Sequence, residues 1–141
     1  MKKTGGINMI SIREQSGTIV LETSAEMVGA DILIRICGGE KPHLGCVVLA
    51  QPRASDTGDG TVSATSSVLN RIGHKDEQVC RKVAEYVAAG LGRTVVCTGG
   101  VHIDHISPQQ IRDTLDAAEK TGRALVSQIS SEAPDTDRLR Q

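Results

Sequence analysis

The stretch Asp76-Glu77-Gln78-Val79-Cys80-Arg81-Lys82-Val83-Ala84-Glu85-Tyr86-Val87-Ala88-Ala89-Gly90-Leu91 decides the fold class. Val79, Cys80, Val83, Ala84, Val87, Ala88 and Leu91 recur at i, i+3, i+4 and i+7, with Lys82 and Glu85 on the opposite side. That spacing predicts a helix with one stripe to bury. Gly90 and Gly92 stop it. A stripe of this kind needs a layer to cover, and the neighbouring segments supply strands. Asp31 to Cys37 places Ile32, Ile34 and Ile36 on one face, against Asp31, Arg35 and Cys37 on the other, and Thr94 to Thr98 is a β-branched run.

Upstream, Ile7 to Glu14 alternates, Gln15-Ser16-Gly17 reads as a turn, and Thr18 to Thr23 returns, which predicts a hairpin. Gly45 to Ala50 is a denser apolar run. Gln51 to Gly60 gathers Pro52, Asp56, Gly58, Asp59 and Gly60 and reads as a loop. The following SATSSVLNRIG (63–73) reads as a short helix with hydroxyl N-caps. Ser107-Pro108-Gln109-Gln110 opens a last helix with a capping box. Its stripe runs through Ile111, Leu115, Ala118, Leu125, Val126 and Ile129, and Gly122 is expected to kink or divide it. The expected architecture is α+β: a single domain over 1–131 in the order β-β-β-β-α-β-α, with helices on one face of a mostly antiparallel sheet. Residues 132–141 are expected to form a disordered tail.

A chain of 141 residues is the length of one domain. With 16 Lys+Arg against 17 Asp+Glu it has no basic field to attract nucleic acid. Tyr86 is the only aromatic residue besides histidine, so any flat ligand must rest on imidazoles, arginines or that one ring. Cys37, Cys46, Cys80 and Cys97 form no CxxC pair and read as buried, inert thiols. No apolar stretch has the length of a signal peptide or a membrane span, so the expected setting is cytoplasmic, without membrane contact.

All four histidines fall in glycine-bearing segments: His43 in KPHLG, His74 in GHKDE, His102 and His105 in TGGVHIDH. Side chains that titrate near neutrality and gather at turns point to one composite site. Gly38-Gly39-Glu40-Lys41-Pro42-His43-Leu44-Gly45 is either a plain hairpin turn or a loop whose N–H groups form an anion nest beside Lys41. Ser63, Thr65 and Ser66 either cap a helix or, with its free N–H groups, face a phosphate. The spacing GxxxxGK[ST] is absent, so this is no Walker loop. Gly73-His74-Lys75-Asp76 puts an imidazole and an ammonium before the helix, which Asp76 would cap. After Gly99-Gly100, His102 and Asp104 fall on one side if extended and leave these alternatives: with His105 and another histidine a zinc or iron site, an acid/base pair whose carboxylate orients an imidazole, other ligand contacts, or a structural turn.

Taken together, PHLG, DGxxSATSSVLNRIGHKDE and TGGVHID, in this order over Asp31 to Ala118, resemble the family of prenylated-flavin chaperones. These are the small D subunits associated with gallate, vanillate and 4-hydroxybenzoate decarboxylases. The resemblance implies a non-catalytic homodimeric carrier in aromatic acid metabolism. It would bind prenylated FMN, or FMN itself, and deliver it to, or keep it in, the large catalytic subunit of a prenylated-flavin-dependent decarboxylase. The implied ligand region is Gly39, Lys41 and His43, then Ser63, Thr65 and Ser66, then His74 and Lys75, and Gly100, His102 and Asp104. Two other readings stay open: a small metal-assisted or acid/base enzyme using His102, Asp104 and His74, and an assembly subunit whose loops bind only protein.

Overall fold

Alternation of period two carries the first half of the chain. β1 (Met9–Ser16), β2 (Ile19–Val28), β3 (Asp31–Gly39), β4 (Cys46–Ala54) and β5 (Val62–Asn70) precede α1 (Glu77–Leu91), β6 (Val95–His102) and α2 (Pro108–Ser131). The computed structural model describes residues 9–72 and 77–132. His74, Lys75, the expected cap Asp76 and, beyond Glu132, the expected tail lie outside the described residues.

The strands form one sheet in the order β1-β2-β3-β6-β4-β5. Every neighbouring pair is antiparallel except β3 with β6, which are parallel. The two helices cover one face, so the domain is α+β, as expected. Ile10, Leu21, Ile32, Ile34, Ile36, Val48, Val95 and Cys97 point into that layer and are buried. α1 packs over β4, β5 and β6, and α2 over β1 and β2. Among the described residues nothing covers the other face.

Four expectations are corrected, the first being the loop read at 51–60, whose residues Gln51 to Ala54 instead pair with Thr65 to Val62 as the end of β4. The segment read as a short helix at 63–73 is β5, an edge strand that pairs with β4 from Cys46↔Asn70 to Ala54↔Val62. Its hydroxyls fit N-caps by residue type, but Ser, Thr and Val also suit a half-covered edge, and the β4 ladder decides. Gly122 does not break α2, which runs unbroken through it. A β-carbon there would lie 3.1 Å from Tyr86 Cδ1, so the glycine lets the two helices approach. Finally, the stripe of α2 is Thr114, Ala117, Ala118, Thr121, Gly122, Leu125 and Ile129, while Ile111 is exposed. Small residues form the contact because the helix lies close to its neighbours.

The predicted capping box is present: Ser107 Oγ accepts from Gln110 N at 3.1 Å, and Gln110 Oε1 accepts from Ser107 N at 2.9 Å.

Candidate functional site

Central placement of β6 builds the site. Parallel pairing with β3 sets Cys37 beside Gly100 and Gly39 beside His102, and antiparallel pairing with β4 sets Cys46 beside Gly99. The loop from Glu40 to Gly45 therefore leaves β3 and enters β4 on either side of the end of β6. Glu40 N donates to His102 O at 2.7 Å, and Gly45 N donates to Gly99 O at 2.8 Å. These two N–H groups of the expected anion nest are thus taken up by the carbonyls of β6.

The loop folds His43 over the uncovered side of β6. A β-carbon at Gly100 would overlap the His43 ring, so the imidazole rests on bare backbone. Its Nδ1–H donates to Lys41 O at 2.9 Å, which makes Nε2 the acceptor nitrogen of the neutral ring. His102 follows two residues along β6, and the two rings meet edge to face with centroids 6.3 Å apart. His102 Nε2 lies 2.9 Å from Asp104 Oδ1; an ionised carboxylate can only accept, so the imidazole donates.

That hydrogen bond, reinforced by charge on His102 and Lys41, holds the Asp104 carboxyl below the usual carboxylate range. The sign follows from linkage. A depressed acid favours the folded arrangement above its ordinary value and loses that contribution as the pH falls through the lowered one. Asp104 is thus an anion that fixes the orientation of His102 at neutral pH. Its backbone N–H also reaches Glu40 Oε2 at 3.4 Å.

The structure brings together Gly39, Lys41, His43, Gly100, His102 and Asp104. Ser63 and Thr65 share the uncovered face but lie opposite Arg53 and Gln51, near the other end of β4. At about 3.4 Å per residue they are roughly 20 Å or more from the imidazoles. Thr65 Oγ1 accepts from Arg53 Nε at 2.7 Å, and Ser66 points to the helix side and donates to Glu85 Oε1 at 2.5 Å. His105 is exposed, in a turn at φ +54°.

Among the described residues no cluster of three or more His, Cys, Asp or Glu is placed to hold a metal ion. Cys46, Cys80 and Cys97 are buried, whereas Cys37 is half-buried on the uncovered face. Among the described residues no helix is long and apolar enough to cross a membrane.

Residues 15–130 match the family described as the prenylated flavin chaperone LpdD-like domain. The chain belongs to that family. It is 25% identical over 120 residues to Protein LpdD of Lactiplantibacillus plantarum, an alignment covering 84% of this chain and 82% of the relative. Its fold is similar to that of a chain from a chaperone complex for yeast 20S proteasome assembly. The TM-score is 0.51 at 17% identity, covering 85% of this chain and 96% of that one. At that identity the likeness concerns the fold alone.

Proposed function

We propose that this chain binds prenylated FMN and hands it to the large catalytic subunit of a prenylated-flavin-dependent aromatic acid decarboxylase, without performing chemistry of its own. Membership of the chaperone family over residues 15–130 carries the reading. The site fits a flat cofactor. Gly100 lets the His43 imidazole lie against bare β6 backbone, and the His102 ring stands beside it, so two flat groups face the uncovered side of the sheet. Tyr86 packs at Gly122, between the helices and away from the uncovered face. Ring contacts therefore fall to His43, His102 and backbone, a weak set that suits transfer better than permanent retention. When bound in a decarboxylase, the prenylated flavin supplies the covalent chemistry of carboxyl removal. Here His43 and His102 would contact its ring, Asp104 would orient His102, and Lys41 would add positive charge.

Protein purified from cells that make prenylated FMN is expected to show flavin absorption in the visible, and to activate cofactor-free large subunit. The His43→Ala, His102→Ala double variant should lose both properties, and the chain alone should turn over no aromatic acid. The His102–Asp104 pair is also what an acid/base enzyme needs. Turnover by this chain without the large subunit would establish that second reading and end the first.

The carrier is also proposed to be a homodimer joined along β5. This strand is an edge of the sheet, nine residues long, with no proline and no charged side chain. Such an edge is a template for pairing. A second copy fits it best, because two antiparallel β5 strands around a two-fold axis satisfy each other's unpaired backbone groups. Leu69 of β5 and its β4 partner Val47 lie on the uncovered face, 75% and 42% exposed. Light scattering should give a dimer for the wild type and a monomer for Thr65→Lys with Ser67→Lys, where like charges would oppose across the new ladder. A monomeric wild type would exclude the arrangement.

A further inference from the structure

Of the described groups first considered for a phosphate, Lys41 stands with the imidazole pair and the others do not. Ser63 and Thr65 lie roughly 20 Å or more away, Ser66 is bonded to Glu85 on the other side of the sheet, and two nest N–H groups are bonded to β6. A different feature lies beside the rings. A groove of about 390 Å³ runs over β1, β2 and β3 on the uncovered face, lined by Arg13, Glu22, Ser24, Arg35, Cys37 and Pro42. Cys37 and Pro42 join it to the imidazoles: Cys37 is the β3 neighbour of Gly100, and Pro42 precedes His43.

The charges in the groove are unequal. Arg13 has a carboxylate partner, Glu22, at 3.7 Å. Arg35 has no carboxylate partner among the described residues; its Nε donates to Ser24 Oγ at 3.3 Å, which holds the guanidinium along the sheet. Both side chains rise from backbone locked in the β2–β3 ladder, where Ser24 and Arg35 are direct partners. A planar donor fork on a rigid strand, with unspent charge, is the arrangement that recognises a phosphate monoester. Arg35 stands two residues from Cys37, about 7 Å along the strand, a span that the ribityl chain of a flavin mononucleotide can cover from a ring seated against His43.

Resting on the flavin-binding reading, we infer that Arg35, held by Ser24, is the phosphate-binding residue of this site, so that the cofactor lies across β6 and β3 with its ring at His43 and His102. The test compares prenylated FMN with the same flavin after phosphatase treatment, by titration against wild type, Arg35→Ala and Arg35→Lys. Wild type should prefer the phosphorylated form by about tenfold to a hundredfold. Arg35→Ala should erase the preference without changing affinity for the dephosphorylated form, and Arg35→Lys should restore part of it. A preference that survives in Arg35→Ala overturns the subsite and leaves the flavin reading intact. If wild type binds neither flavin, that reading fails, and inorganic phosphate followed by amide NMR decides the subsite by itself. Shifts at Ser24, Arg35 and Cys37 that vanish in Arg35→Ala would sustain an anion site, and their absence would remove it.

Discussion

Gly99→Ala is expected to lower the stability of the domain by roughly 3 kcal/mol or more, from conformational strain and overpacking together, and so to lower the melting temperature by roughly 10 °C. Gly99 sits in β6 at φ +142°, a conformation that side chains rarely adopt. A β-carbon there would overlap the backbone of Ile36, its register partner on β3. Neither strand can yield, because β3 is also held by β2 and β6 by β4. Thermal unfolding followed by far-UV circular dichroism measures the loss. A melting temperature within a degree or two of wild type would show that the centre of the sheet can open to admit a methyl group.

What could be read from the sequence follows from which forces act locally. The stripe of α1 was legible because its six buried residues, Val79, Cys80, Val83, Ala84, Val87 and Ala88, obey one period without interruption. The capping box of α2 was legible because it is a contact between residues three apart. β5 was not. Ser63 to Asn70 mixes hydroxyls with Val and Leu, and only pairing with β4, some fifteen residues upstream at mid-strand, makes it extended. The insertion of β6 between β3 and β4 was equally hidden, since strand order is a long-range property that no local pattern encodes.

The same division runs through the site. That His43 and His102 belong together was suggested by their glycine-rich surroundings, and the structure places their rings 6.3 Å apart. The grouping of Ser63 and Thr65 with them assumed a helix start facing a ligand; as strand residues at the far end of β4 they cannot reach the rings within one chain. Arg35 went unnoticed because alternation presents it as the ordinary solvent side of a half-buried strand. A cation in the middle of a strand was the available signal, but it gains meaning only once that face is seen to be uncovered and continuous with Gly100.

Gly100→Ala, one residue from the structurally critical glycine, is expected to spare the fold and damage the site. The three atoms nearest the added β-carbon would all belong to the imidazole of His43, a side chain that can swing aside, and none of them is backbone. Stability should therefore change little, whereas the displaced ring gives up its hydrogen bond to Lys41 O and its place beside His102. Affinity for prenylated FMN should fall about tenfold, equivalent to about 1.4 kcal/mol. A double-mutant cycle isolates the cause. If Gly100 acts by seating His43, then Gly100→Ala should cost almost nothing further in a His43→Ala background, because both changes remove one contact. Full additivity would mean that the flavin touches the Gly100 backbone directly, and wild-type binding by Gly100→Ala would move the ring site away from β6.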